Sequence, residues 1–544
     1  MTVLDARSLT LLALAALVIW FANLDYRKLI KPDEGRYAEI SREMVTSGDW
    51  VTPRLNGIKY FEKPPLHYWA GAAAFAVFGQ HEWTARLWSA LAGVLGIVLT
   101  WYAGQRLFGV AAGVYAAVVL ASSLMYVVVG HLNTLDMGLA LFLSVALCAF
   151  LLAQRDEASA RANAVWMHIA WAATAGAVLT KGLVGLVIPA ATLALYTLVQ
   201  RDWRLWQRLH LVTGLLLFLA ITAPWVVIVS LRNPEFAWFF FVHEHFLRYT
   251  TTIHQRVEPW YYFLVLVIAG SLPWTAVVAH AVWSAWKTQS GATFQARRFL
   301  LIWCAFVLLF FSASGSKLPP YILPLFPAAA LLAGWRLTFT SGTTLAWQIV
   351  PVTLVGLVGL LALPFVRASG DTPVELIQAF KPWIAAAALV ALPAAGYAAW
   401  VARRGNVQRA VLVTGLAGLL AIQLMMTGHE SLSPSMSAYR MAQQVKPYLR
   451  PGVPFYSVGT YDQTLDFYLG RTVTLVQFRD EMDYGLEQEP QLAIPTVAQW
   501  METWKRQPYA LAQVDERIYE QLQARGFSMQ LIANDHRRYF IKTP

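Results

Sequence analysis

Apolar runs about as long as a bilayer is thick recur from residue 8 to residue 427, and they leave few architectures open. A helical span takes about 20 apolar residues. In hydrocarbon each backbone N–H and C=O has to be paired within the segment, so such runs fold as helices. Breaks at charged or Gly/Pro-rich stretches divide them at 8–25, 85–105, 111–130, 137–153, 164–180, 183–199, 209–230, 260–283, 299–313, 320–336, 344–366, 382–402 and 408–427. The pattern predicts an all-α polytopic membrane domain over 1–427 with about thirteen transmembrane helices. Only 13% of the residues are charged, about half the share of a soluble domain. The first run has no small-residue cleavage site after it, so an uncleaved helix is expected rather than a signal peptide. Cys148 and Cys304 lie within apolar runs and read as packing residues, not as a disulfide or a thiolate metal site. The net charge of +11 would suit nucleic acid in a soluble chain, but here the placement of the cations decides, and no nucleic-acid partner is expected.

Alternation sorts the loops into two sets. Short basic loops hold Arg7, Arg106, Arg155, Arg161, Arg201, Arg204, Arg208, Lys287, Arg297, Arg298, Arg336, Arg403, Arg404 and Arg409, as cytoplasmic loops do. The opposite set holds 26–84, 131–136, 231–259, 314–319 and 367–381, together with everything after 427. The N-terminus is therefore expected inside and the C-terminus outside. From Gly428 the chain turns polar, with strand-like runs at 456–458, 509–512 and 527–531. A helix over Asp515–Arg525 before Gly526 completes a small soluble α/β domain over 428–544. No internal repeat and no helix broken at the midplane is read from the runs, which argues against a transporter of lipid-linked sugars.

The first outer loop departs from the charge rule. It carries Arg27, Lys28, Lys31, Arg36, Arg42, Arg54, Lys59 and Lys63 on the side that should be poor in cations. One reading is a site for lipid phosphates at membrane depth; the other is an amphipathic segment lying in the interface. On a helix starting near Asp33, the i, i+3, i+4 spacing puts Asp33, Arg36 and Tyr37 on one face. Asp33 and Glu34 could equally be first-turn acids offsetting the helix dipole. Further on, Pro64-Pro65 fixes the backbone just after Glu62 and Lys63. Asp136 lies nearly at membrane depth, where an ionisable residue is a functional candidate; it could also cap the fourth helix with Asn133 or Thr134. Lys317 follows the ninth helix and could bind an anion or snorkel to the headgroups. Lys181 and Glu82 are read as structural.

Several of these stretches together resemble the lipid A aminoarabinose transferase family. They are Asp33-Glu34-Gly35-Arg36-Tyr37-Ala38-Glu39, Ser47-Gly48-Asp49-Trp50, Pro53-Arg54-Leu55-Asn56-Gly57 and Glu62-Lys63-Pro64-Pro65-Leu66. The order continues with Asn133-Thr134-Leu135-Asp136, Thr180-Lys181-Gly182 and Ser316-Lys317-Leu318-Pro319-Pro320-Tyr321-Ile322-Leu323-Pro324. The family belongs to the membrane-embedded glycosyltransferases of GT-C type that use polyprenyl-phosphate donors, a group that includes protein O-mannosyltransferases. The resemblance implies transfer of 4-amino-4-deoxy-L-arabinose from undecaprenyl phosphate to lipid A phosphates, with resistance to polymyxin and other cationic antimicrobial peptides. The implied setting is the periplasmic side of a bacterial inner membrane, with membrane lipids around a monomer.

Under that resemblance Asp33, Glu34 and Asp136 are the candidate catalytic carboxylates, with Asp33 first. Lys63, Arg36, Arg248 and Lys317 are candidates for the donor phosphate, because charge develops there as the phosphate leaves. Tyr37 and Tyr321 are candidates for substrate contact. No cofactor is required, although a divalent ion (Zn, Mg or Mn) on Glu62 and His243 is a further expectation. His243 and His245 do not share a helical face, so both could ligate only from a non-helical segment. The alternatives are a related transferase acting on another glycolipid or on protein hydroxyls, and the transporter.

Overall fold

The computed structural model describes residues 6–247, 258–287, 292–367, 372–535 and 537–544. Two compact units emerge: one comprises Met1–Leu24 with Arg86–Glu430, the other Asp25–Ala85 with Ser431–Pro544.

In the first unit every predicted run holds a helix or a bent pair of helices. Among the described residues, eight helices are long and apolar enough to cross a membrane, or up to ten if each bent pair is one span. Ala6–Phe21, Val184–Gln200 and Leu325–Leu337 are shorter apolar helices within the predicted runs. Leu135–Ala153 is buried along almost its whole length and packs on Ala160–Lys181, whereas Gly342–Ala362 keeps most of its apolar surface exposed. An apolar surface of that kind belongs against lipid.

Two helices are broken, contrary to the sequence reading. Val110–Ala121 turns by 64° into Leu124–Gly130, and Tyr262–Gly270 by 113° into Thr275–Ala285. The breaks satisfy each other: Leu124 N–H donates to the Leu272 carbonyl at 3.0 Å, and Trp274 Nε1 donates to Ser122 Oγ at 2.8 Å. Irregular backbone is tolerated at membrane depth when buried protein groups pair with it. Such pairing is tertiary, so hydropathy alone misses it.

The second unit holds the predicted α/β domain and more. The strands are β1 (Arg54–Leu55), β2 (Ile58–Lys59), β3 (Phe455–Val458), β4 (Thr474–Val476), β5 (Ala493–Ile494), β6 (Leu511–Asp515), β7 (Gln530–Asn534) and β8 (Arg538–Lys542). A six-stranded sheet runs β5-β4-β3-β6-β8-β7, parallel from β5 to β6 and antiparallel through β8 and β7. Asp515 is the N-cap of the Glu516–Ala524 helix, not part of it, and Gly526 closes the end at φ +62°.

The first outer loop, assigned from sequence to the membrane domain, packs as part of this unit. Asn56-Gly57 turns the β1–β2 hairpin with positive φ at both positions, as a tight hairpin turn requires. The Asn56 amide donates to the Val473 carbonyl at 2.8 Å and accepts from Val473 N–H at 2.7 Å. Arg54 grips Glu489 with two nitrogens at 2.9 and 3.1 Å. These bonds, unreadable from local pattern, tie the loop to the tail.

Candidate functional site

The Asp33–Ser47 helix begins with Asp33 and Glu34 in its first turn, where acids complement the helix dipole. Gly35 lets it cross the chain at Gln463, because a Cβ there would lie 2.6 Å from the Gln463 backbone. Arg36 Nη1 reaches back to Asp33 Oδ1 at 2.9 Å, the i, i+3 pairing that the spacing predicts. The other Arg36 terminus pairs with Glu481, which stands on the Asp480–Met482 turn and accepts from Gln463 Nε2 at 2.6 Å. Burial opposes the charge on Arg36, but Tyr60, Glu481, Tyr37 and Asp33 outweigh it and hold the guanidinium pKa well above its ordinary value. Tyr37 and Tyr60 are buried beside it, and burial pushes both hydroxyls well above the usual tyrosine range. They act at neutral pH as neutral groups able to donate a hydrogen bond.

Glu34 turns away from this face: its carboxylate accepts Ile30 N–H at 3.1 Å and ties the helix to the segment before it. Lys63 and Glu62 immediately precede the double proline. Lys63 Nζ donates to the Glu62 carbonyl at 2.7 Å and lies 3.7 Å from the Glu62 carboxylate. Glu62 acts electrostatically on both Tyr37 and Tyr60, so the predicted Asp33, Arg36, Tyr37 and Glu62 share one neighbourhood. His67, on the Leu66–Phe78 helix, sets its ring edge-on to Tyr37 at 5.5 Å.

Much of the cation density in the loop is matched internally. Lys28 pairs with Glu82 at 2.8 Å, Arg42 with Glu39 at 2.5 Å and Arg54 with Glu489 at 2.9 Å. Arg36 and Lys63, the loop residues predicted to meet the donor phosphate, are paired with acids as well, Arg36 with Asp33 and Glu481 and Lys63 with Glu62.

The first unit holds a second charged group. Lys181 Nζ meets Asp136 Oδ1 at 2.5 Å and stands 4.5 Å from the centre of the Tyr321 ring. Thr134 occupies the N-cap position of the Leu135–Ala153 helix but its own side chain makes no capping bond, and Asp136 serves the ion pair. Lys181, read from sequence as structural, thus joins two predicted site residues. Lys317 Nζ donates to the Glu258 carbonyl at 3.0 Å. His243 stacks on Phe239 with ring centres 4.9 Å apart and lies 3.4 Å from Glu244 Oε1, on a π-helical turn. Arg248 lies outside the described residues. Among the described residues no three His, Cys, Asp or Glu side chains are placed to hold a metal ion. Glu62 belongs to the second unit and His243 to the first.

Residues 441–543 match the family model described as aminoarabinose transferase C-terminal domain, and residues 62–228 match that of dolichyl-phosphate-mannose-protein mannosyltransferase. Over 402 residues the chain is 32% identical to the undecaprenyl phosphate-alpha-4-amino-4-deoxy-L-arabinose arabinosyl transferase 1 of Sodalis glossinidius, covering 70% of this chain and 71% of that protein. The chain belongs to the aminoarabinose transferase family. The like-named protein of Edwardsiella ictaluri is 34% identical over 366 residues, covering 66% of this chain and 65% of its own length. The match thus spans just under two thirds of that relative, and 62% of the Erwinia tasmaniensis one. The crystal structure of ArnT from Cupriavidus metallidurans bound to undecaprenyl phosphate is 41% identical, with a TM-score of 0.94 over 99% of this chain and 98% of that one. An oligosaccharyltransferase from Archaeoglobus fulgidus aligns at a TM-score of 0.51 with 14% identity, over 94% of this chain and 70% of that one, which marks a shared fold alone.

Tyr60 and Glu481 lie beside Arg36, and Lys181 beside Asp136, although sequence reasoning did not put any of the three among the candidates. Lys181 carried a signal, an ionisable residue at a helix end within a quoted motif. Glu481 carried none, being one acid among many in a polar tail.

Proposed function

We propose that this chain transfers 4-amino-4-deoxy-L-arabinose from undecaprenyl phosphate to phosphate groups of lipid A, on the periplasmic side of a bacterial inner membrane. The observation that carries the reading is the 41% identity, over nearly the whole of both chains, to an ArnT crystallised with undecaprenyl phosphate. In this reading a lipid A phosphate oxygen attacks the anomeric carbon. The bond from that carbon to the donor phosphate breaks, its electron pair stays on the phosphate, and configuration inverts. Lys63 and Arg36 stabilise the departing charge, as fixed cations do best in a water-poor site. Lys317 and Arg248 are further candidates for the same task.

A phosphate nucleophile is already anionic near neutral pH, so Asp33 orients the donor through its amino group or through Arg36 rather than removing a proton. Tyr37 is assigned to substrate contact. Asp136 with Lys181 and Tyr321 forms a second polar group for substrate, and Glu34 holds the backbone that presents Asp33. The protein works as a monomer, and the amino sugar lowers the negative charge of lipid A, which weakens binding of polymyxin.

The match of residues 62–228 to the mannosyltransferase model favours one second reading, a hydroxyl acceptor on protein. A hydroxyl needs a general base, which would be Asp33. Purified protein incubated with polyprenyl-phosphate aminoarabinose and lipid A, followed by lipid A mass, separates these. A gain of one aminoarabinose, lost in Lys63→Ala and reduced but present in Asp33→Asn, supports the phosphate acceptor. Absence of any gain with folded protein overturns the substrate assignment.

A further inference from the structure

The helices Leu135–Ala153, Ala160–Lys181, Val184–Gln200 and Ala296–Ala313 enclose a partly open cavity of about 180 Å³. Its wall includes Phe150, Met167, Trp171, Leu193, Trp206 and Phe299, near the helix ends that carry the short basic loops. The polar atoms of the wall are engaged elsewhere. Trp171 Nε1 donates to the Leu209 carbonyl at 2.9 Å, Trp206 Nε1 to Thr197 Oγ1 at 3.1 Å and Trp303 Nε1 to the Pro324 carbonyl at 2.9 Å. Thr174 Oγ1 donates back to the Ala170 carbonyl at 2.9 Å. Water entering the cavity would find no partner, and apolar cavities of about 150 Å³ stay dry and take up hydrocarbon.

The rim has the opposite character. Trp206 and Leu209 line the cavity and flank Arg208, whose Nη2 donates to the Ala153 carbonyl at 3.0 Å. Arg204 is exposed on the same Trp203–Arg208 turn, and Arg201 precedes it. Asp202 is the one acid between residues 200 and 210. Basic pockets between membrane helices on the cytoplasmic side hold anionic lipid headgroups.

We propose that this cavity takes one fatty acyl chain of an anionic glycerophospholipid whose phosphate faces Arg204 and Arg208. The occupant is a membrane phospholipid rather than a soluble apolar molecule, because an acyl tail inside and a phosphate outside match the dry wall and the basic rim at once. The site is separate from the residues assigned above to sugar transfer.

Native mass spectrometry of the full-length protein, titrated in detergent with phosphatidylglycerol, phosphatidylcholine or undecaprenyl phosphate, tests the assignment. Phosphatidylglycerol is expected to bind roughly thirtyfold more tightly than phosphatidylcholine, a factor of about five for each arginine near the surface. The double variant Arg204→Gln, Arg208→Gln abolishes that preference, and Ala170→Phe or Ala190→Phe, filling the cavity from different helices, weakens binding at least roughly tenfold. Equal affinity for phosphatidylcholine, adducts indifferent to the filling substitutions, or one-for-one displacement by undecaprenyl phosphate would overturn it. Should both fillers fail to fold, photo-crosslinking of wild type with a diazirine-tailed phosphatidylglycerol decides. Labels at 146–174, 186–193, 206–211 and 299–303 support the site, and labels elsewhere refute it.

Discussion

Replacing Glu481 by Gln removes the charge that holds one end of Arg36. The side chains of Arg36 and Glu481 are 10% and 8% exposed, so both charges are desolvated. Removing one member of a buried ion pair costs roughly 3–5 kcal/mol, because the other charge stays buried without its partner. Asp33 still faces Arg36 at 2.9 Å, but with a side chain 38% exposed it is screened by water and offsets about 1 kcal/mol. The glutamine oxygen can still accept a hydrogen bond, so the net loss is about 2–3 kcal/mol. Hydrogen exchange of the amides in 33–47 and 480–488 reads this as a lowered opening free energy. A double-mutant cycle with Arg36→Gln should give a coupling of about 2 kcal/mol. If Arg36 holds the donor phosphate, Glu481→Gln raises KM for the donor more than kcat falls, while Arg36→Ala lowers kcat/KM by about 10²–10³-fold. Unchanged exchange, or additive single and double variants, would refute the pairing as the source of Arg36 positioning.

Lys181→Met leaves the Asp136 carboxylate, only 10% exposed, without its 2.5 Å partner and should lower the melting temperature, and adding Asp136→Asn should restore much of the loss. Glu43 is buried beside Glu39, and these raise its carboxyl from 4.5 to about 8, against the Gly57 N–H and Arg42 that lower it. The unfolded chain therefore loses this proton near pH 4.5 while the folded chain keeps it. Stability falls as pH rises from about 4.5 to 8, and thermal melts of Glu43→Gln should show a flatter pH dependence than wild type. Gly35→Ala puts a methyl group against the Gln463 backbone and should cost on the order of 2 kcal/mol, read in the same exchange experiment.

The membrane part was legible because span length and backbone pairing leave one solution for a long apolar run. Its two breaks were not legible in hydropathy, since Leu124 and Leu272 satisfy each other across the fold, although Ser122-Ser123 and Pro273 stand at them. The same division separates the parts of the site. Asp33, Arg36 and Tyr37 could be placed together from helical spacing. Glu481, which pairs with Arg36, comes from the tail, where the Asp480–Met482 turn has no pattern that points back to a helix near the N-terminus.

The loop cations show the same division. A cation on the translocated side opposes the insertion bias unless something stabilises it, and a lipid phosphate is one such stabiliser. Carboxylates do the same work within the second unit: Glu82 for Lys28, Glu39 for Arg42 and Glu489 for Arg54. Charge in excess of the topology rule therefore marks either a ligand or a folded partner, and only tertiary structure distinguishes them. Arg36 is held by acids on both sides and lies among two neutral, buried tyrosines and Glu62, beside a stretch that carries Lys63. A buried guanidinium needs polar neighbours even in a structural ion pair, so the assignment of Arg36 to an anionic substrate rests on the proposed transfer chemistry and not on this surround.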